Sequence, residues 1–351
     1  MPNIGFLIRS PHDYFVYKNT YHNIINRGID GVNLIVKRIH SIPIVEPYAD
    51  KFYEYICNMM DSRKELYIHD PNPEWTIEGD HKIIIYNNNG VFCSTKKIRM
   101  LYSHAKENWT FGSLACGEYD LILTYGQRST ELCGRYKPTC IVGHPKYDDW
   151  FNGSVNVEET ESYRKLLDPN KKTVLYVPTW GEIGSTETYY NSINSLTEKY
   201  NVILKCHDSL YWREPDNLAR FDSKNIIILN GSSDIQCLFK LADVVIGDNS
   251  GAMMESIYLD KPTIFLEVSA VAGSGLTSGG STEQTCRSNF LMVDKPTDID
   301  MLNSAIERSI NNAGEFKQKR LEVTTNMYEY RDGRCSNRAA NAIIKFLEEK
   351  C

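Results

Sequence analysis

Short apolar runs rich in β-branched residues alternate along this chain with longer stretches whose apolar residues recur near helical spacing. In the first half, such a stretch at Asp50–Met60 predicts a helix. The turn formers of Gly143–Asp148 lead into a polar stretch that reaches about Asn170, where we place a domain boundary. The apolar runs before that boundary predict strands at Ile4–Ile8, Val32–Val36, Lys82–Tyr86, Leu121–Thr124 and Thr139–Val142.

The same alternation resumes after the polar stretch. The predicted strands of the second half are Thr173–Val177, Asn201–Lys205, Ile226–Leu229, Val244–Ile246 and Thr263–Leu266. Its predicted helices are Thr188–Lys199, Asp234–Leu241, Asp298–Asn311 and Ser336–Glu349. Between them, Ser269–Thr285 is rich in Gly, Ser and Thr and predicts a mobile loop. Strands and helices that alternate in this way are typical of an α/β protein with parallel sheets.

The length of 351 residues is too great for one ordinary core, so we expect two domains, at 1–150 and 170–325, followed by a terminal helical segment at 326–351. Hydrophobic residues make up 42% and charged residues 24%, as in ordinary globular proteins. A net charge of −6 gives no general attraction to nucleic acid, so any phosphate site must be local.

Ten cysteines are scattered without a CxxC pair or zinc-finger spacing, which favours reduced thiols in a cytoplasmic protein. The N-terminus is typical of a first strand rather than of a signal peptide, and no apolar stretch is long enough to span a bilayer. Membrane contact, if it occurs, is therefore expected to be peripheral, at the inner membrane face. Lys96, Lys97 and Arg99 are its candidate basic residues, although so short a run is usually solvated surface.

One strand end combines several features of a nucleotide site. A buried strand runs directly into a helix through Asp248, Asn249, Ser250 and Gly251. Ligands of open parallel sheets bind beyond the carboxyl ends of strands, and a helix N-terminus offers N–H groups to phosphate. Glu255, one turn further on, is placed to accept hydrogen bonds from a ribose diol. We therefore predict a donor site here; the simpler alternative is that Asp248 or Ser250 only caps the helix.

Two more strand ends carry polar groups. Lys205 and His207 share one face of an extended segment, where they would neutralise a diphosphate and donate hydrogen bonds to it. The alternative is a surface histidine in a turn. At the other strand end, Thr179 is a candidate for binding phosphate or base, and Trp180 is a candidate pocket wall or a core residue.

In the first half, His104 follows an apolar run, with Lys106 two residues on. Histidine is the commonest proton-transfer side chain near neutral pH, so one domain could contribute a base across a cleft from the donor site. A structural histidine is the alternative. The chain lacks the GxxxxGK[ST], strand-flanked GxGxxG, HExxH and GxSxG motifs and shows no acidic metal-ligand cluster, so no metal is expected.

Several stretches, in this order, resemble the CDP-glycerol glycerophosphotransferase family, which includes teichoic-acid primases and polymerases. VLYVPTWGE resembles the family's strand and Pro-Thr-Trp motif, and VILKCHDSL its Lys-x-His-Pro-His segment. SSDIQCLFKLADVVIGDNSG, with the DKPTIFL that follows, is similar to its Asp-Ile…Asp-Tyr-Ser-Ser stretch. YRDGRCSNR is similar to its Asp-Gly-x-Ala-Ser-x-Arg signature, so the resemblance covers roughly Met100 to the C-terminus.

The resemblance implies a GT-B fold, with two Rossmann-like domains whose parallel sheets face a central cleft. The first domain would bind the acceptor, the second would bind the nucleotide donor, and the terminal helix would pack back on the first. It also implies that His104 is the catalytic base and that His207 contacts phosphate. Asp234 falls at the family's Asp-Ile aspartate, and Ser250 and Gly251 fall at its Ser-Ser pair.

The implied reaction is attack of an acceptor hydroxyl on the donor's β-phosphate, with release of CMP and without a metal or cofactor. We therefore expect transfer of a polyol phosphate from a CDP-linked donor to a cell-surface glycan or lipid-linked acceptor. Gly251 and Glu255 also approach the Gly…Glu…Gly-x-Pro helix of GT-B glycosyltransferases and UDP-GlcNAc 2-epimerases. A UDP-sugar glycosyltransferase, an epimerase and a non-catalytic nucleotide-binding protein are therefore the alternatives.

Overall fold

The computed structural model describes residues 4–38, 48–72, 77, 81–87 and 95–350, and these form two compact units. The first unit contains the described residues up to Tyr102, together with Phe111–Gly153 and the chain from Met327 onward. The second unit contains Ser103–Thr110 and Ser154–Asn326. The segment Ser103–Thr110 thus leaves the first unit, packs with the second and returns.

Both units are built on parallel sheets. The strands are β1 (Ile4–Ile8), β2 (Val32–Lys37), β3 (Tyr67–Asp70), β4 (Ile83–Tyr86), β5 (Lys96–Met100), β6 (Leu121–Thr124), β7 (Thr139–Ile141), β8 (Thr173–Tyr176), β9 (Asn201–Lys205), β10 (Ile226–Leu229), β11 (Val244–Gly247), β12 (Thr263–Leu266) and β13 (Leu291–Val293). The sheet orders are β3-β2-β1-β4-β5-β6-β7 and β10-β9-β8-β11-β12-β13. Every strand pair is parallel, as expected for doubly wound sheets.

Helices cover these sheets, which is why most central strands are buried along their whole length. They are α1 (Pro11–Ile25), α2 (Ala49–Ser62), α3 (Glu107–Thr110), α4 (Ser113–Cys116), α5 (Gln127–Cys133), α6 (Asp148–Asn152), α7 (Val157–Arg164), α8 (Thr186–Ser195), α9 (Asp208–Arg213), α10 (Pro215–Leu218), α11 (Ile235–Leu241), α12 (Gly251–Tyr258), α13 (Thr282–Thr285), α14 (Ile299–Asn311), α15 (Lys317–Thr325) and α16 (Cys335–Lys350).

The terminal helix α16 belongs to the first unit, where it packs on α1. Its N-terminus is held by the buried carboxylate of Asp148, which accepts hydrogen bonds from the backbone N–H groups of Cys335 at 2.9 Å and Ser336 at 2.6 Å. A carboxylate at a helix N-terminus satisfies otherwise unpaired donors and complements the helix dipole. The chain's return to the first unit is therefore fixed by a specific capping contact.

The predicted α/β class is confirmed, and the ten predicted strands agree with the structure to within one residue at each end. Two expectations are corrected. Ser269–Thr285 is not simply a loop, since it contains a 3₁₀ turn at Ser269–Gly273 and helix α13. Arg99 is not surface, because its side chain is buried, donates from Nη1 to Cys116 Sγ at 3.3 Å and lies over the Tyr119 ring.

Candidate functional site

The second sheet reverses its strand order between β8 and β11, which are hydrogen-bonded neighbours. A crevice opens at such a switch point beyond the carboxyl ends of the strands, where doubly wound proteins bind ligands. Thr179 follows β8 and Asp248 follows β11, so both lie at this point. The candidate site is built around these two residues.

Asp248 ties the two strand ends together. Its Oδ1 accepts from Thr179 N at 2.8 Å, and its Oδ2 accepts from Ser185 N and Ser185 Oγ, each at 2.7 Å. The side chain is fully buried, and burial raises the pKa of Asp248 against the opposing effect of these hydrogen bonds. Both carboxylate oxygens of Asp248 are therefore engaged within the protein, and its contact with the donor stays a prediction. Asp248 positions the loop.

Asn249 is held in the same way. Its Oδ1 accepts from Arg287 Nη1 at 2.9 Å and from Gln284 Nε2 at 3.2 Å, and its Nδ2 donates to Ile183 O at 3.4 Å. Arg287 is itself buried and also donates to the Asp248 carbonyl and, from Nη2, to Leu266 O at 2.8 Å. A planar guanidinium suits such multiple contacts. The side-chain amide of Asn249 therefore supports the loop, and its predicted contact with the donor stays a prediction.

Ser250 and Gly251 form the partly exposed end of the loop, at the N-terminus of α12. Ser250 Oγ caps the helix by accepting from Ala252 N at 3.3 Å. A Cβ atom on Gly251 would lie 2.4 Å from Ser103 Oγ and 3.1 Å from Ser103 Cβ, so only glycine fits beside Ser103 without a shift. Glu255 is buried one turn into the helix, and its predicted contact with a ribose stays a prediction.

Thr179 and Trp180 follow β8. Thr179 is fully buried, and its Oγ1 accepts from the ammonium group of Lys106 at 2.9 Å. Trp180 is partly exposed, with the Arg213 guanidinium 4.7 Å from its ring centroid and the His207 ring 6.1 Å away. The two residues thus connect the β8 end to the segment containing His104 and to the β9 end.

Lys205 ends β9 and is half-buried, whereas His207 is exposed at the start of α9. His207 Nδ1 accepts from Ser209 N at 3.1 Å, which caps this short helix. A neutral imidazole whose Nδ1 accepts carries its proton on Nε2, so this contact favours the tautomer that donates from Nε2. His207 can therefore donate a hydrogen bond from Nε2, and its contact with phosphate stays a prediction.

Asp234 lies at the N-terminus of α11. It is buried at the start of α11, where its Oδ1 accepts from Gln236 N at 3.0 Å. Its own N–H donates to Glu159 Oε1 at 2.9 Å. Asp234 therefore caps its own helix through Oδ1, and its contact with the donor stays a prediction.

His104 is fully buried in the segment Ser103–Thr110 and therefore belongs to the second unit. The sequence predicted that the first domain contributes this histidine as a base. In the structure the segment instead packs with the second unit. Asn108 N donates to Leu276 O at 3.1 Å, and Asn108 Nδ2 donates to Gly275 O at 3.2 Å. The segment containing His104 and the loop 248–251 are thus parts of the same compact unit.

Two glutamates complete this attachment by capping each other's helices. Glu107 N donates to Glu283 Oε1 at 3.3 Å, and Thr282 N donates to Glu107 Oε1 at 3.0 Å. Both side chains are buried. Burial raises the pKa of Glu283 to about 7, hydrogen bonds from Thr277 and from the α3 backbone oppose the rise, and the Glu107 carboxylate adds to it.

The structure therefore brings together Thr179, Trp180, His207, Ser250, Gly251 and the segment containing His104. Sequence reasoning missed the supporting residues Ser185, Glu283 and Arg287. A helix-capping signal was present at Glu283, since Ser281 and Thr282 precede it. Arg287 offered no local signal, because its partners lie 20 to 39 residues away along the chain.

Among the residues that the structure describes, no group of three or more His, Cys, Asp or Glu side chains could hold a metal ion. No helix within the described ranges is both long enough and apolar enough to cross a bilayer.

Two units, each built on a doubly wound parallel sheet, give the chain the architecture of the GT-B fold. The chain belongs to the family described as CDP-glycerol:poly(glycerophosphate) glycerophosphotransferase, whose sequence profile matches residues 132–345. It is therefore a transferase of polyol phosphate from a nucleotide-linked donor, and the epimerase and glycosyltransferase alternatives are not favoured. No curated protein sequence matches the chain significantly.

Solved structures agree on the fold. The wall teichoic acid polymerase TagF matches 99% of this chain and 89% of its own, with 13% identity and a TM-score of 0.66. The S. aureus MnaA protein in complex with UDP matches 99% of this chain and 97% of its own, with 12% identity and a TM-score of 0.57. A glycosyltransferase from Rickettsia africae gives 13% identity, coverages of 99% and 98%, and a TM-score of 0.51.

Proposed function

We propose that this transferase moves glycerol phosphate, or a similar polyol phosphate, from a CDP-linked donor to a hydroxyl group of a glycan or lipid-linked acceptor. One observation carries the proposal: the N-terminus of α12, Thr179 and the segment containing His104 lie together in one compact unit. A helix N-terminus binds phosphate, and a histidine held nearby can receive a proton. The family's donor chemistry and the geometry of the site therefore agree.

In the proposed reaction, the acceptor oxygen forms a bond to the β-phosphorus of the donor as the bridging P–O bond to CMP breaks. His104 takes the proton of the attacking hydroxyl. His207 donates from Nε2 to the phosphate, and the positive end of the α12 dipole binds the same charge, so negative charge is stabilised as it develops. CMP leaves with the bridging oxygen on its phosphate group, which carries the negative charge.

The remaining site residues divide into two groups. Ser250, Gly251, Trp180 and Lys205 are proposed to contact the donor, and Glu255 is proposed to meet its ribose. Asp248, Asn249 and Asp234 are proposed to hold these residues in place, since their side chains bond within the protein. We also propose that the reaction needs neither a metal nor a cofactor, because protein N–H donors and histidine can supply the charge stabilisation.

The proposal is tested by measuring CMP release from CDP-glycerol with and without oligo(glycerol phosphate) as the acceptor probe. We expect acceptor-dependent release that EDTA does not change. His104→Asn should lower the rate by about 10²- to 10⁴-fold while leaving CDP affinity within a factor of about 3. His22→Asn, at an exposed histidine of the first unit, is the matched control. Acceptor-independent release, or full activity of His104→Asn, would contradict the proposed roles, and loss of activity in EDTA would contradict metal independence.

A further inference from the structure

Lys106 is a lysine in an unusual position. Its backbone φ is +58°, in the left-handed region that side chains other than glycine rarely adopt. Such conformations persist where the surrounding structure enforces them, and they concentrate at functional sites. The side chain is half-buried and points its ammonium group at the hydroxyl of Thr179.

Two contacts enforce this position. Ser103 lies against Gly251 at the start of α12, so closely that a side chain at 251 would collide with its hydroxyl group. Ser103 Oγ also accepts from Ala105 N at 2.9 Å, which turns the chain toward Lys106. At the other end, Lys106 Nζ bonds to Thr179, whose N–H is held by Asp248. The segment therefore spans from the α12 N-terminus to the end of β8.

The charge on Lys106 is incompletely compensated. Thr179, a neutral hydroxyl, is its hydrogen-bond partner within the described ranges, and no carboxylate in that part of the chain lies within 4.0 Å. Burial lowers the pKa of Lys106, and the more distant carboxylates of Asp248 and Glu283 only partly oppose this. An ammonium group has three donors, so two remain for a ligand.

We propose that Lys106 binds the diphosphate of the nucleotide donor, and that the contacts at Gly251 and Thr179 position it for this role. The inference rests on the proposed function, which supplies the anionic ligand. A diphosphate at the N-terminus of α12 would meet helix N–H groups on one side and the ammonium group on the other. Lys106 would thereby add a positive charge beside Thr179.

The test compares CDP with cytidine as probes, because cytidine lacks the diphosphate. Lys106→Met should weaken CDP binding by about 10- to 100-fold and cytidine binding by less than about 2-fold, as expected for loss of a charge-assisted hydrogen bond. Lys106→Arg should keep most of the CDP affinity. Lys224→Met, at an exposed lysine of the same unit, is the control and should change neither.

Equal affinities in Lys106→Met and the wild type, or equal losses for CDP and cytidine, would overturn the inference, because a structural role affects both probes alike. Failure of the wild type to bind CDP would overturn the proposed function as well, so the two failures are distinguishable. Lys106→Gln replaces Lys106→Met if the methionine variant does not fold, since its amide can still donate to Thr179. Its expected losses are the same.

Discussion

Each unit has a buried aspartate beside the switch point of its sheet. The two aspartates make similar contacts but are placed differently relative to the helix that follows. In the first unit, Asp13 accepts from the backbone N–H groups of Arg9 and Ser10, after β1, and from Asn87 Nδ2, after β4. In the second, Asp248 accepts from Thr179 and Ser185, after β8. Each carboxylate carries three hydrogen bonds and links the two central strands.

The N-termini of α1 and α12 differ in whether a carboxylate of the protein already complements them. Asp13 is inside the first turn of α1 and forms a capping box with Ser10, so a protein carboxylate already complements that helix N-terminus. Asp248 precedes α12 and points toward β8, and the first turn of α12 contains no acidic residue. Of these two helix N-termini, that of α1 has a carboxylate in its first turn and that of α12 has none. The donor is therefore proposed to bind at α12.

The largest expected effect separates these two aspartates. Asp248→Asn and Asp13→Asn should each lower the free energy of unfolding by about 3 kcal/mol, because each leaves buried donors poorly satisfied. Only Asp248→Asn should also weaken CDP binding, by about 100-fold, since it releases the loop before α12. Urea unfolding and CDP titration measure the two quantities. Equal CDP affinities in the two variants would contradict the assignment of the donor site to the second unit.

A smaller effect is expected at the contact between Ser103 and Gly251, which attaches the segment containing His104 to α12. Gly251→Ala should weaken CDP binding by about 10-fold, because the new methyl group displaces the Ser103 hydroxyl. In a Ser103→Ala background, where the 2.4 Å contact is removed and a 3.1 Å contact remains, the same change should cost about 2- to 3-fold. Additive losses in the double variant would show that the two residues do not interact.

The third test is the dependence of stability on pH. Glu283 has its pKa raised from 4.5 to about 7 in the folded protein, so folding favours its protonated form. This stabilisation is fully present below pH 4.5 and is lost as the pH rises through about 7, with a total of the order of 3 kcal/mol. Glu283→Gln should flatten that part of the profile of unfolding free energy against pH. A pH profile unchanged by Glu283→Gln would contradict the raised pKa of Glu283 in the folded protein.

Much of the fold was predictable because the parallel strands are buried on both faces and appear as continuous apolar runs. β5 was missed because its sequence, KKIRM, begins with two lysines and contains Arg99, whose burial depends on Cys116 and Tyr119. β3 and β13 are short, of four and three residues, and are not fully buried. Helix α1 was missed although Ser10, Pro11 and Asp13 give a recognisable start, since aromatic and β-branched residues weaken its helical signal.

The position of the candidate site could be predicted from the sequence. Which of its side chains support the loop could not. The loop 248–251 was found from its place between a strand and a helix. Sequence cannot show that the side chains of Asp248 and Asn249 turn inward, because their partners Thr179, Ser185 and Arg287 are distant in the chain. Lys106 was noticed only as a neighbour of His104, since its contact with Thr179 spans 73 residues.

We propose that an anionic donor binds the N-terminus of α12 and not that of α1. Backbone hydrogen exchange, measured with and without saturating CDP, distinguishes the two helices. We expect slower exchange at Gly251, Ala252 and Met253 when CDP is bound, and unchanged exchange at residues 12–14 of α1. Protection of the α1 residues, or unchanged exchange across the first turn of α12, would contradict it.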